Sequence, residues 1–544
     1  MQGRTKGAVI GGVCAVMVGA AGYGGYTLFQ GMPVGKSVTH ATAKPSPTIT
    51  TPPSVADVAH VSHGFLAAWS SGDTAEAAGL TDDVAQAAGQ LAAFRTQFHA
   101  TSLTLSSRPA TGTSVPFSVR ARFDYHGQQS SWTYNSSLTV TRDATGRPAV
   151  KWAPSVLYPT LTQGETLEAD ASVPPPVTVA DRSGKTLTAA EFPSLAGVLS
   201  ELQTRYANKM SGGTPGAEIR VKTAAGQPGQ VLHQLAQGKA GKPLPTTIDS
   251  VLQAEAQKAV TTKGPDASVV VIQPSTGGIL AVANNPAVGY NKAMMGTYAS
   301  GSTFKVITAS TLLSTGKYTP STPLACPKTL SYGGLSFHNV EMMQLSGATV
   351  AADFAASCNT AFISTANVMP DGAVESEARD VFGLGLDWSV GVSSFDGSIP
   401  TGTGAAKALT YIGQGRVQLN PLDMASVAAT AESGVFRQPY IVPPSVDGRQ
   451  LVQAPQQLSA QVDQEIQSMM RLTARQGTAA PTIGSLSGNV GAKTGTAEVD
   501  GQAKPNSWFL AYRDDVAAAA LVPNTGEGYK FAGPIVTAIL QAAG

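Results

Sequence analysis

The chain has 544 residues, room for roughly three or four domains that each bury a core of their own. Its 36 Lys and Arg balance 35 Asp and Glu for a formal charge of +1, which argues against a nucleic-acid or other polyanionic partner held by net charge. Three cysteines are too few for a disulfide scaffold, and the seven scattered histidines lack metal-ligand spacing, so neither a metal nor a cofactor is expected.

Arg4 and Lys6 precede an uncharged run over residues 7–29, long enough to cross a bilayer as one helix with the basic flank kept inside. This predicts a cytoplasmic tip and transmembrane anchor over 1–30. It is a single pass through the cell membrane, with all that follows extracytoplasmic. A cleaved leader with its apolar stretch at 8–21 is the alternative, and it leads to the same side. Residues 31–54, rich in Pro, Thr and Ser without apolar periodicity, read as a tether.

From residue 55 the pattern becomes helical. Val58, Val61, Phe65 and Trp69 recur at helical spacing, Gly72-Asp73 stops one helix and starts another, and a second helical segment is predicted over 74–98. Alternation follows: Phe117, Val119, Ala121, Phe123 and Tyr125 share one face, and Trp132, Tyr134, Ser136, Leu138 and Val140 share the next. His126-Gly127-Gln128-Gln129 turns between them, so the two strands are antiparallel. The aromatic stripe either packs as a core or lines a cavity. Helices followed by a curved meander describe an α+β cone over 55–164. Residues 165–245 alternate polar turns with short apolar runs, and Asp181-Arg182-Ser183-Gly184-Lys185 is a hairpin turn.

Thr246-Thr247-Ile248-Asp249 caps a helix with Leu252, Ala256 and Ala259 on one face. Strands at 268–273 and 279–283 follow, joined by Pro274-Ser275-Thr276-Gly277-Gly278. The pattern after residue 302 is mainly helical to about 433, then returns to strands at 488–499, 507–513 and 516–523, and ends in an apolar helix near 534–543. Helices inserted between strands of one sheet make 246–544 an α+β domain with an antiparallel sheet flanked by helices and a helical subdomain.

Three short stretches in this domain carry chemistry. In Gly301-Ser302-Thr303-Phe304-Lys305 a spacing of three puts Ser302 and Lys305 on one helix face. A serine hydroxyl needs a base to become a nucleophile, and a lysine is one only when burial or a second cation depresses its pKa. Ser357-Cys358-Asn359 and Lys493-Thr494-Gly495-Thr496 follow. S-x-x-K, S-x-N and K-T-G in this order resemble the signature of penicillin-recognising serine acyl enzymes. Behind a membrane anchor, the whole is similar to class B penicillin-binding proteins, monofunctional D,D-transpeptidases. The cone over 55–164 resembles the NTF2-like N-terminal domain of the methicillin-resistance type, and 165–245 the linker or pedestal domain, shorter than usual there.

The resemblance implies roles. Ser302 would attack a carbonyl and be acylated, Lys305 would take its proton, and Ser357 would relay that proton to the departing amine. Asn359, Lys493, Thr494, Gly495 and Thr496 would bind substrate: Asn359 the amide, Lys493, Thr494 and Thr496 a terminal carboxylate. The bare Gly495 would let the peptide lie along the strand. The oxyanion hole would be the backbone N–H groups of Ser302 and Thr496. The implied partners are peptidoglycan stem peptides ending in D-Ala-D-Ala, β-lactams that mimic them, the cytoplasmic membrane, and a separate glycan polymerase, since no stretch before residue 54 could house one.

The sequence departs from the family pattern at Ala492, where a Gly is common, and at Ala299-Ser300, where a Pro pair is frequent. Arg416-Val417-Gln418-Leu419-Asn420 matches the E-x-x-L-N of class A β-lactamases only superficially, with Arg in place of the Glu that would activate a deacylating water. A hydrolase (D,D-carboxypeptidase or β-lactamase) and a non-catalytic β-lactam sensor are the competing readings. Outside the membrane Cys326 and Cys358 could pair, with buried free thiols as the alternative.

Overall fold

The computed structural model describes residues 51–173, 177–210 and 213–544. The 1–30 anchor and nearly all of the 31–54 tether lie outside the described residues. Among those described, no helix is long and apolar enough to cross a membrane.

The first helix, Val55–Ser71, opens on a reciprocal capping box between Ser54 and Asp57 and stops at Gly72, whose φ of 90° is open to glycine. Its buried face carries Val58, Val61, Phe65 and Trp69. The helical segment expected over 74–98 is two helices, Thr74–Gly79 and Val84–Thr96, because Asp73 and Asp83 each cap a fresh start. Four strands follow: β1 (Ala100–Ser107), β2 (Ser114–Tyr125), β3 (Gln128–Arg142) and β4 (Pro148–Val150), paired in that order. Tyr125 pairs with Gln128, so His126 (φ 51°) and Gly127 (φ 84°) form the two-residue turn that suits the twist of a hairpin. β1 lies on the far side of β2, and its alternation of Ser and Thr with single leucines is too weak a pattern to announce a strand.

The aromatic stripe is packed core. Trp69 meets Phe94 at 5.5 Å and Phe117 at 6.5 Å between ring centroids, and Phe94 stacks on Trp132 at 6.5 Å. The open end of the cone is closed from outside it. β5 (Thr166–Val173), β8 (Gly216–Lys222) and β9 (Pro228–Ala236) form a sheet in the order β5-β8-β9, and His233 of β9 stacks on Trp132 at 5.6 Å.

Between these strands run β6 (Val179–Ala180), β7 (Thr186–Leu187) and the helix Ala196–Arg205, with β10 (Leu244–Pro245) pairing back on β6. Residues 165–245 therefore divide between two cores. Leu167, Ile219, Val221 and Leu235 join the N-terminal one, whereas Val179, Leu187, Leu199, Leu202 and Leu244 join the one that follows. The segment clasps its neighbours together.

The C-terminal domain is built on a five-stranded antiparallel sheet in the order β12-β11-β17-β16-β15, where β11 is Ser268–Ile272, β12 Ile279–Asn284, β15 Val490–Ala497, β16 Asn506–Arg513 and β17 Val516–Val522. Both faces are covered. Val269 and Val271 face the helices Ser250–Lys263 and Gly528–Ala542, and Val270 and Ile272 face Lys305–Ser314 and Pro421–Ser433. The run Ala517–Ala520 on β17 is buried throughout and lets helices lie close on both sides.

Two features depart from the sequence reading. A short hairpin, β13 (Thr329–Tyr332) with β14 (Leu335–His338), interrupts the mainly helical stretch, and the last helix begins at Gly528 and runs on through Pro534. β15 is left as an edge strand.

Phe94 is 1% exposed at the centre of the aromatic cluster, so Phe94→Ala should destabilise the chain by about 3–5 kcal/mol. Urea denaturation of residues 51–544, followed by tryptophan fluorescence, measures this.

Candidate active site

Ser302 stands in a single 3₁₀ turn, Gly301–Phe304, that runs straight into the helix Lys305–Ser314. The turn is wedged in place by backbone. Gly301 has φ +54°, and a Cβ there would lie 2.7 Å from the Thr496 carbonyl oxygen of β15. Its N–H donates to the Gly413 carbonyl at 2.8 Å, and Trp508 Nε1 on β16 donates to the Ala299 carbonyl at 2.9 Å. The nucleophile turn and the edge strand are thus locked face to face.

Ser357 caps the helix Val350–Ala356 in a left-handed conformation, φ 63°, and the helix Asn359–Ser364 starts two residues later. This kink throws the Ser357 carbonyl, the Ser357 hydroxyl and the Asn359 side chain toward Lys305. Lys305 Nζ, fully buried, donates to the Ser357 carbonyl at 2.6 Å and to Asn359 Oδ1 at 2.7 Å, and lies 3.0 Å from Ser302 Oγ and 3.5 Å from Ser357 Oγ. Asn359 Nδ2 donates to the His338 carbonyl at 3.2 Å, which fixes Oδ1 toward the lysine. Lys493 Nζ, also fully buried, donates to Ser357 Oγ at 2.9 Å and to the Thr494 carbonyl at 3.0 Å. Ser302, Lys305, Ser357, Asn359 and Lys493 are one connected network.

The hydrogen-bond pattern defines what the network can do. The Ser357 carbonyl and Asn359 Oδ1 can only accept, so they take two N–H groups of Lys305. A neutral amine then has its lone pair left, and the nearer of its two hydroxyl neighbours is Ser302, at 3.0 Å against 3.5 Å for Ser357 Oγ. Burial, and after it the charge of Lys493, hold Lys305 well below the usual range for a lysine. A neutral amine facing a serine hydroxyl at 3.0 Å can take its proton.

Thr494 and Thr496 flank Gly495 on the strand, and Thr494 Oγ1 shares a 2.6 Å hydrogen bond with Thr478 Oγ1. The structure gives Gly495 a different reason from the one expected. A Cβ there would lie 2.9 Å from the Ser300 carbonyl and from Thr303 Cγ2, so the bare position admits the nucleophile turn. Ala492, in place of the common Gly, is fully buried. Arg416 donates to the Thr401 carbonyl at 2.8 Å.

Cys326 and Cys358 are bonded to each other, tying the S-x-N turn to the strand segment before β13. Sequence reasoning missed the residues that hold this turn from behind. Asn339, 1% exposed, accepts from the N–H groups of Asn359 at 2.8 Å and Thr360 at 3.0 Å, and donates to the Pro327 carbonyl at 2.8 Å. Nothing in its sequence surroundings marks it, nor Thr478 or the buried Asp353.

Two domain families match the chain: the penicillin binding protein transpeptidase domain over residues 267–541, and the NTF2-like N-terminal transpeptidase domain over 59–165. Among its relatives is the peptidoglycan D,D-transpeptidase PbpA of Mycobacterium tuberculosis, 30% identical over 341 residues that cover 51% of this chain and 66% of that protein. PbpA of Mycolicibacterium smegmatis is 30% identical over 364 residues, covering 55% of this chain and 72% of that one.

Two solved structures share the fold. Penicillin-binding protein A from M. tuberculosis, an imipenem acyl-enzyme complex, has a TM-score of 0.51 at 23% identity and covers 69% of this chain and 95% of that one. PBP2 of Pseudomonas aeruginosa, in complex with WCK 5153, has a TM-score of 0.54 at 19% identity, covering 69% and 96%.

Asn339→Ala should leave the Asn359 and Thr360 N–H groups unpaired in a buried place. A loss of about 1–3 kcal/mol in thermal or urea unfolding is expected, the cost of an orphaned buried donor.

Proposed function

The chain belongs to the penicillin-binding protein transpeptidase family, and on that footing we propose that it is a class B enzyme, a peptidoglycan D,D-transpeptidase working through an acyl-serine. The observation that carries this reading is the single hydrogen-bonded network joining Ser302, Lys305, Ser357, Asn359 and Lys493 beside a free sheet edge.

Ser302 Oγ attacks the carbonyl carbon between the two terminal D-alanines of a stem peptide, and its proton passes to Lys305 Nζ. The oxyanion is met by the N–H groups of Ser302 and Thr496. The C–N bond then breaks, and Ser357 relays a proton to the departing amine. Asn359 holds the substrate amide. Lys493, Thr494 and Thr496 hold the terminal carboxylate while the peptide extends along β15, a strand with an open edge. An amine from a neighbouring stem then attacks the ester, forming the cross-link and restoring Ser302. A β-lactam enters the first half of this cycle and remains as the acyl-enzyme.

We place the catalytic domain outside the cytoplasmic membrane on a single anchor over 1–30, and glycan polymerisation in a separate partner enzyme. The Cys326–Cys358 disulfide supports an oxidising compartment. The hydrolase reading lacks support at Arg416, where the side chain that would activate water is a cation bound to a carbonyl.

Labelled penicillin should mark the chain covalently at Ser302 and stay for many minutes, and Ser302→Ala should abolish the mark. Release within seconds would instead identify a β-lactamase. With lipid-linked substrate and an acceptor amine, cross-linked product distinguishes transpeptidase from carboxypeptidase.

Burial pushes Lys493 down to about 7, so above that pH its ammonium loses its charge and its hold on a carboxylate. The second-order acylation constant should therefore fall above about pH 7 for a penicillin with a free carboxylate, and this alkaline limb should be absent with its methyl ester.

A further inference from the structure

Thr478 stands just past the end of the Ala460–Gln476 helix, one residue beyond Gly477, and links the helix that leads into Ser357 with the edge strand β15. Its N–H donates to the Ala355 carbonyl at 3.0 Å, in the last turn of the Val350–Ala356 helix. A helix leaves its last carbonyls without partners of its own, so this bond meets one of those needs. Gly477 makes the approach feasible, because a Cβ there would lie 2.5 Å from the same carbonyl oxygen. On the other side, Thr478 Oγ1 lies 2.6 Å from Thr494 Oγ1. Main chain toward one element and side chain toward the other hold the Thr478 hydroxyl in place.

The bond between the two hydroxyls has a direction. One proton lies between them, so one oxygen donates and the other accepts. Among the described residues neither hydroxyl has a second partner, and Thr494 is buried. If Thr494 gave its proton to Thr478, its oxygen would turn only lone pairs toward a bound carboxylate, and two acceptors repel. With Thr478 as the donor, the Thr494 proton is left for the carboxylate. Accepting one hydrogen bond also strengthens the one that Thr494 then gives. A hydrogen bond to an anion is about twice as strong as one between neutral groups, so a bound carboxylate selects this second direction.

We propose that Thr478 is a positioning residue for carboxylate recognition: by donating to Thr494 Oγ1 it aims the Thr494 proton at the terminal carboxylate of the substrate. The proposal rests on the acyl-transfer reading above. It gives Thr478 no contact with the substrate and no part in moving the Ser302 proton.

The test compares wild type with Thr478→Val, Thr478→Ala and Thr478→Ser, all of which keep the main-chain bond to Ala355. The measurement is acylation of Ser302 by a penicillin labelled on its side chain, and by the methyl ester of the same compound. Val and Ala should lower the second-order constant for the free acid about fivefold, the effect of one hydrogen bond, and leave that for the ester unchanged. Ser should restore the wild-type preference for the acid. In a Thr494→Val background the Thr478 substitutions should have no further effect, because Thr478 acts through Thr494 alone.

A merely structural role would slow acid and ester alike, so equal losses overturn the proposal, as does an unchanged acid. An undiminished loss for the acid in the Thr494→Val background overturns it too, since Thr478 would then meet the carboxylate itself. So does failure of both the Val and Ala variants to give a cooperative melt, which would make the hydroxyl a folding determinant. Wild-type protein that takes no label at Ser302 would sink the acyl-transfer reading itself, which the other outcomes leave standing.

Discussion

The interaction on which the structure depends is the grip on the Lys305 amine. Two carbonyl oxygens, from Ser357 and Asn359, approach it within 2.7 Å from one side and the Ser302 hydroxyl meets it at 3.0 Å from the other. A charged lysine buried this way would need a tightly paired anion, and none is hydrogen-bonded to it. The amine is held as a base by burial and then by the second cation, while the acceptors on its N–H groups aim its lone pair at Ser302. Separate the Ser357 kink from the nucleophile helix by even an ångström or so and the lone pair loses its direction.

The chain meets that tolerance with backbone contacts more than with side chains. Gly301 and Gly413 allow loop and turn to touch, and Gly495 lets the turn under β15. Gly528, where the last helix begins, would place a Cβ 2.6 Å from the Gly495 carbonyl. Contacts of this kind have no rotamer to change, so the edge strand, the Ser302 turn and the last helix are packed backbone to backbone. The disulfide and Asn339 hold the S-x-N turn. The N-terminal cone joins these elements indirectly: its core continues into β5, β8 and β9, while β6, β7 and β10 from the same segment are buried with the catalytic helices.

How much of this the sequence disclosed follows from how local each feature is. Ser302 with Lys305, the S-x-N triplet and the K-T-G run are legible because each is contiguous, and their order narrows the chemistry. Helices and strands with strong apolar periodicity, such as Val55–Ser71 and β2, are legible for the same reason. The support for the site is not. Asn339 acts across twenty residues of chain through main-chain N–H groups, Asp353 sits in an Ala-rich helix like any capping acid, and Thr478 meets Thr494 only once β15 is in place. Gly495 was legible as a glycine needed for close approach, but which neighbour approaches depends on the face of the strand, and that is tertiary information. Pro534 reads as a helix start because proline favours a first turn, yet tertiary packing carries the helix through it.

The direction of the hydrogen bonds at Ser357 bears on how one hydroxyl would serve two lysines in the proposed reaction. Lys493 has protons and donates to Ser357 Oγ at 2.9 Å, so that oxygen is an acceptor on the Lys493 side and must send its own proton elsewhere. Lys305 is 3.5 Å away, and in the resting state its lone pair is already aimed at Ser302. The Ser357 proton is therefore free to point into the cleft, where the departing amine would stand. In the proposed reaction the same geometry runs in reverse once Lys305 holds the Ser302 proton: the new ammonium would donate to Ser357 Oγ as Ser357 gives its proton away. On the proposed acyl-transfer reading, one short relay, polarised by Lys493 at its far end, would carry a proton from nucleophile to leaving group.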